Sequence, residues 1–330
     1  MRRLVVLLAG LLSAWPASAQ KAPQDLSTQK PPEARTLPTP TAAPRDEAPA
    51  DAATPARDRA YGALQRGMYL TALQLALPLA KLGDPVAQTL LGEIYGRGLG
   101  VPRSDAEAAR WYGAAAASGN PDGQFRYALM LLDGSAGRTD PAAARDLMKA
   151  AADAGIPLAA YNFGQMLIEE SPVAGFTEAL PYFQKSAQAG VSDAQYAMAQ
   201  IYAYGRGVSQ PDIPKARAYL LASARGGNVT GQVEFGIWLI NGKGGRKDVA
   251  AGAGWLRRAA ARGNPIAMNR LAHLYKDGIG VAASKVEAGK WSVLAKRADN
   301  DDASLDDFFR KLDDDTKKAA LEAANKFRPS

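Results

Sequence analysis

Small and bulky apolar residues recur along this chain in pairs three positions apart. One set reads Gly92/Tyr95, Ala128/Leu131, Gly164/Leu167, Ala199/Tyr202, Gly236/Leu239 and Ala272/Tyr275. A second reads Ala108/Trp111, Ala144/Leu147, Ala179/Tyr182, Ala216/Tyr219, Gly252/Trp255 and Ala288/Trp291. An offset of three places both members of a pair on one helical face. The pattern therefore predicts two helices per unit, A and then B, each with its small and bulky columns turned inward. Glycine costs about 1 kcal/mol against alanine inside a helix, so its return to one column predicts close helix approach there. The units are marked off by Gly83, Gly119, Gly155, Gly190, Gly227 and Gly263, in steps of 36, 36, 35, 37 and 36 residues, and one more step lands on Asp299. Such a period is that of a solenoid, in which each unit buries its apolar face only against its neighbours.

The polar residues between these columns punctuate the helices. Asp84, Asn120 and Asn264 precede Pro85, Pro121 and Pro265, which is N-cap followed by first-turn proline. Gly98-Leu99-Gly100, Gly205-Arg206-Gly207 and Gly278-Ile279-Gly280 join A to B. A phosphate cradle would need a strand before the loop and a longer spacing, so these glycines read as helix-end turns with φ > 0. The aromatic column of helix B reads as core, and Trp255→Ala is expected to cost about 3–5 kcal/mol on that basis.

The ends lose the period. Met1–Ala19 has the form of a secretory signal peptide: Arg2-Arg3, an apolar run Leu4–Leu12, and Ala17-Ser18-Ala19 before Gln20. Residues 20–56 are rich in proline and poor in large apolar side chains, as expected of a disordered linker. Residues 57–83 read as N-terminal capping helices, 84–298 as six repeats, and 299–330 as a C-terminal helical cap. Helices are expected in that cap near Ser304–Lys311 and Thr316–Phe327. Its eight aspartates between 299 and 315 lack the alternating ligands and sixth-position glycine of a calcium loop, and read as a solvated acidic cap.

Composition narrows the chemistry. The chain has 330 residues, no cysteine and one histidine, His273. A thiol nucleophile, a disulfide framework and a multi-histidine metal site are thereby excluded. The net charge is +7, or +5 without the two leader arginines, which does not argue for nucleic acid. The one S-x-x-K, Ser27-Thr28-Gln29-Lys30, falls in the linker. His273 has no partner constellation in the sequence, and its column reads Glu93, Leu129, Gln165, Gln200, Ile237, His273, which suggests a solvent-facing position. No catalytic residue, cofactor or metal site is expected.

The columns resemble those of Sel1-like repeats, relatives of the tetratricopeptide repeats. The match is A-x-x-x-L-G-x-x-Y, a G-x-G-V loop, A-x-x-W-Y-x-x-A-A and a closing glycine, over roughly Gly83 to Ala298. The second, third and fifth units carry Leu131, Leu167 and Leu239 in place of tyrosine, and the third lacks the G-x-G loop. The resemblance implies an all-α fold, a right-handed α/α superhelical solenoid that binds a protein or peptide, often in bacterial envelope signalling and secretion. Cysteine-rich members have been described as β-lactamases; this chain has no cysteine.

In related solenoids the A helices line the concave groove. The A-helix face opposite the Gly92/Tyr95 columns collects Glu93, Arg97, Arg126, Asp133, Asn162, Gln165, Gln200, Tyr204, Glu234, Asn241, Arg270, His273 and Asp277. These positions do not repeat in chemistry, as expected of a face constrained by a partner or only by solvent. The expectation is a non-enzymatic periplasmic scaffold with a protein or peptide partner and no membrane span after leader cleavage. Secretion beyond the periplasm, a cell-wall or β-lactamase-like hydrolase, and a carbohydrate-binding module built on exposed aromatics such as Tyr204 are the alternatives.

Overall fold

The computed structural model describes residues 56–329; the leader and the proline-rich segment through residue 55, with its S-x-x-K, lie outside the described residues. Among the described residues there are sixteen helices and no strand. The chain divides into two compact units, Met1–Ser118 and Gly119–Ser330. In the first, α1 (Ala56–Gln65) packs on α2 (Tyr69–Lys81), α2 on α3 (Pro85–Arg97), and α3 on α4 (Asp105–Ala117). Its core joins Ala60, Ala72 and Ala76 to Leu91, Ile94 and Trp111.

The second unit continues in helix pairs. These are α5 (Pro121–Asp133) with α6 (Pro141–Asp153), α7 (Pro157–Glu170) with α8 (Gly175–Gln188), and α9 (Ser192–Tyr204) with α10 (Ile213–Arg225). Then come α11 (Val229–Asn241) with α12 (Val249–Ala261) and α13 (Pro265–Asp277) with α14 (Lys285–Arg297). Within this unit each B helix also packs on the next A helix, the repeating arrangement of an α/α solenoid. Two shorter-range helices close the chain, α15 (Ala303–Arg310) and α16 (Asp314–Lys326), and α16 lies on α14 where a further A helix would go.

The caps work as their residue types dictate. Asp84 accepts hydrogen bonds from the N–H groups of Val86 and Ala87, Asn120 from Gly123, and Asn264 from Ala267. Ser104, Asp140, Asp212, Asp248 and Ser284 do the same for the B helices. Each such cap contributes about 1 kcal/mol. The six repeat-closing glycines all have φ between 77° and 97°, and Asp299, one period on, holds φ 58°.

Two readings of the repeat are corrected. The deepest column of helix B lies four residues, not three, beyond the small residue. Met148, Phe183, Leu220 and Leu256 are fully buried, while Leu147, Tyr182, Tyr219 and Trp255 are half-buried at its edge. Trp111 and Trp291 are buried as expected. The physical reason is that at 100° per residue the fourth position lies nearer the small residue's own direction than the third, on its other side. Close approach at the A-helix glycines also has two causes. A Cβ at Gly236 would stand 3.0 Å from the Gly252 carbonyl oxygen, which is backbone contact; at Gly92 and Gly164 it would meet the rings of Tyr112 and Phe183 instead.

The loop glycines do more than turn the chain. Gly205 and Gly242 end α9 and α11 in the left-handed conformation. The second glycine of each loop lies against the start of the preceding B helix: a Cβ at Gly207 would come within 2.6 Å of the Phe176 carbonyl, and one at Gly244 within 2.8 Å of that of Ile213. The fifth repeat thus has its own G-x-G loop, Gly242-Lys243-Gly244, which the sequence reading passed over.

Candidate partner-binding face

The thirteen face residues fall into different environments. In the first unit Arg97 Nη1 donates to Glu93 Oε1 at 2.6 Å, an ordinary i,i+4 pair. In the second unit Arg126 is half-buried with its guanidinium over Phe125, and Asp133 accepts from the Ser135 N–H at 2.9 Å. Asn162 is half-buried; Asn241, Arg270 and Asp277 are exposed. Gln165 and Gln200, expected on an open face, are instead only 2% and 3% exposed. α7 and α9 each pack on their own B helix and on the preceding one, so their buried arc is wider than a one-sided amphipathic helix would have. In α7 every residue from Phe163 to Ile168 is buried.

The face is therefore closed at Gln165 and Gln200, where the buried polar groups bond to neighbouring side chains. Gln165 Nε2 donates to Tyr161 Oη at 2.7 Å, and burial holds the Tyr161 phenol protonated well beyond its ordinary range. Between α9 and α11 Glu234 Oε2 accepts from Gln200 Nε2 at 2.6 Å and from Tyr196 Oη at 3.0 Å. Burial raises the Glu234 carboxyl above its usual value, a rise opposed by the hydrogen bonds of Tyr196 and Gln200, by the Lys243 charge and by Trp238. Burial also pushes Tyr196 up, and the Glu234 carboxylate adds to it.

At the outer end of this cluster the face opens. Tyr204, the last residue of α9, is 49% exposed. Arg206 and Lys243 stand 5.6 and 6.0 Å from its ring centroid, and Lys243 also lies 4.2 Å from that of Trp238. Arg206 and Lys243 are the middle residues of successive G-x-G loops, so the repeat itself brings two cations to the tyrosine. Of the residues expected on the face, Gln200, Tyr204 and Glu234 come together here; Tyr196, Trp238, Arg206 and Lys243 were missed. The signal was present in the i,i+4 series Tyr196, Gln200, Tyr204 and in the pair Glu234, Trp238.

His273 is not solvent-facing as expected. Its Nε2 lies 2.8 Å from Asp302 Oδ2, which also accepts from Asn269 Nδ2 at 3.1 Å. A carboxylate only accepts, so Nε2 carries the proton. Asp302 Oδ1 caps α15 through the N–H groups of Ser304 and Leu305. Burial alone would raise the Asp302 carboxyl, but the hydrogen bonds from His273, Asn269 and Leu305 bring it down to about 2. The histidine thus anchors the C-terminal helices to the last repeat. Among the described residues no three histidine or carboxylate side chains converge as a metal site, and no helix is long and apolar enough to cross a membrane.

The Sel1 repeat family profile matches six times, at residues 85–120, 121–156, 158–191, 192–228, 231–264 and 265–300. The chain is similar to the crystal structure of a Sel1 repeat protein from Oxalobacter formigenes, at 29% identity and TM-score 0.60 over 74% of this chain and 70% of that one. It is also similar to c5321, a protective antigen of uropathogenic Escherichia coli strains displaying an SLR fold, at 28% identity and TM-score 0.55 over 78% of this chain and 64% of that one. An uncharacterised protein of Neisseria meningitidis serogroup B is 32% identical over 135 residues, 41% of this chain but 28% of that relative's length.

Proposed function

Since the chain belongs to the Sel1 repeat family, whose repeats commonly serve as scaffolds for protein–protein contacts, we propose that this protein is a non-enzymatic scaffold of the bacterial envelope that holds a protein or peptide partner on the A-helix face of its fourth and fifth repeats. The observation that carries the reading is the Tyr204 cluster. Gln165, Gln200 and Glu234 on α7, α9 and α11 are drawn into hydrogen bonds with neighbouring side chains; at Tyr204 an aromatic ring stands half out of the surface with Arg206 and Lys243 at 5.6 and 6.0 Å from its centroid. An amphipathic ring on a rigid helix end is the usual anchor of a protein contact. The polar network beneath it fixes α9 against α11, so the anchor is held in place before a partner arrives.

The envelope placement is read from the leader residues Arg2-Arg3, Leu4–Leu12 and Ala17-Ser18-Ala19. Mass spectrometry of the periplasmic fraction is expected to find a mature N-terminus at Gln20; a chain starting at Met1 and retained in the membrane contradicts it.

Partner binding is tested by a photoreactive amino acid placed at Tyr204 and, as a control, at exposed Ala218 on α10. Illumination in intact cells should give a discrete adduct from position 204 and none from 218. The same adduct from both positions, or none from 204, removes the assignment.

A further inference from the structure

Residues 205–262 contain ten lysines and arginines against Asp212, Glu234 and Asp248, a formal +7. That equals the net charge of the whole 330-residue chain, so all the remaining charges cancel. Six of the ten cations lie in or beside the A–B loops of two successive repeats. Arg206 and Lys243 sit in the A–B loops of the fourth and fifth repeats, with Arg246 and Lys247 just beyond in the fifth. Lys215 and Arg217 lie on the first turns of α10, and Arg217 donates to the carbonyl oxygens of Lys243 at 3.0 Å and Arg246 at 2.8 Å. That brace ties the fifth-repeat loop to the fourth-repeat helix and makes one edge of the two.

Several charges elsewhere are paired locally, as in Arg145 with Glu170 or Lys149 with Asp153. On this edge Lys215, Arg217, Lys243, Arg246 and Lys247 have no carboxylate within ion-pair distance among the described residues. The acids that face them are otherwise engaged. Asp212 and Asp248 cap α10 and α12 through backbone N–H groups, and Glu234 is held by Tyr196 and Gln200. Five cations without an ion pair, beside an exposed tyrosine, form a surface whose complement is negative and partly apolar.

We propose that this loop edge, from Tyr204 and Arg206 to Lys247, docks an acidic segment of a protein partner. The inference rests on the scaffold reading above and names the chemistry of its partner. Carboxylates of an extended segment would lie along Lys215, Lys243 and Arg246 while an apolar side chain covers the Tyr204 ring. Such charges act mainly on the rate of encounter and are screened by salt, with a Debye length of about 8 Å at physiological ionic strength.

The test is fluorescence anisotropy of the mature protein with a labelled peptide of alternating aspartate and serine, beside its asparagine–serine counterpart. The aspartate peptide should bind, weaken as salt is raised, and lose about ten-fold or more in affinity when Lys243→Glu and Arg246→Glu are combined. Lys318→Glu with Lys326→Glu, exposed on α16 and outside both the A-helix face and the loop edge, should bind as wild type does. Thermal melts establish that all variants are equally folded. Equal binding of the asparagine peptide, or undiminished binding by the Lys243/Arg246 variant, overturns the proposal. So does displacement of the peptide by phosphatidylglycerol vesicles, which would make the edge a membrane contact, or self-association through the aspartate-rich cap seen by sedimentation. If the partner crosslinked at position 204 binds the Lys243/Arg246 variant unchanged, the acidic-segment inference falls and the scaffold reading stands. If no partner is crosslinked while the peptide still binds as described, the reverse holds.

Discussion

Gln200 on α9 and Glu234 on α11 are joined side chain to side chain at 2.6 Å, across two successive repeats. The contact sets one A helix against the next, and it places a carboxylate where burial opposes its charge. A carboxyl raised above its ordinary 4.5 in the folded state binds its proton more tightly there than in the unfolded chain. Stability is then lost as pH climbs from that ordinary value through the raised one, and stays lost above it.

Glu234→Gln keeps an acceptor for Tyr196 and Gln200 and removes the charge. It is expected to stabilise the protein at neutral pH by on the order of 1 kcal/mol, the usual size of a single-residue effect. The gain should vanish as pH falls toward the ordinary carboxylate range. Thermal melts across pH check this; a variant less stable than wild type at pH 7 would mean that the ionised carboxylate is the better partner.

Asp302 behaves in the opposite sense. Its folded value of about 2 lies below the ordinary 3.8, so its contribution is full above 3.8 and is lost as pH falls toward 2. Because it is partly exposed, screening reduces the effect of Asp302→Asn to about 1 kcal/mol near neutrality. Amide exchange should speed up first in α15 and α16. Unchanged exchange there would show that His273 and Asn269 do not anchor the cap.

The architecture was legible in the sequence because a solenoid writes its core once per repeat. Gly92, Ala128 and their equivalents all lie in the core, as do Ala108 and its column. What the period could not supply was the depth of each neighbour. A projection at 100° per residue treats an A helix as having one buried face, whereas packing on two B helices buries Gln165 and Gln200 as well. The Tyr204 cluster escaped for another reason: Arg206 and Lys243 belong to loops, and their approach to Tyr204 depends on how consecutive loops stack.

The shift of the core column gives a direct comparison. Leu256 is fully buried, and Leu256→Ala should cost about 2–5 kcal/mol. Trp255 stands half-buried, edge-on to Phe235 at 5.7 Å with Arg258 over its ring, so Trp255→Ala should cost about 1–2 kcal/mol, less than a core truncation. Urea denaturation of the two variants decides it; a larger loss at position 255 would restore the aromatic column to the core.

Asp299 occupies with φ 58° the place that glycine fills at every other repeat end. Left-handed backbone costs a residue with a Cβ about 1–2 kcal/mol, of which aspartate recovers a part through local hydrogen bonding. Asp299→Gly should therefore stabilise the junction to the cap by up to about 1 kcal/mol. A melt below that of wild type would show that the carboxylate itself is needed there.

The central claim is that a partner is anchored on Tyr204. Its most direct test is calorimetric titration of the partner identified by crosslinking at that position into wild-type protein and into Tyr204→Ala. Truncation of an anchoring tyrosine should weaken binding at least about ten-fold while the melting curve stays put, since the ring is half outside the fold. A dissociation constant within about two-fold of wild type, against an unchanged melt, would contradict the account.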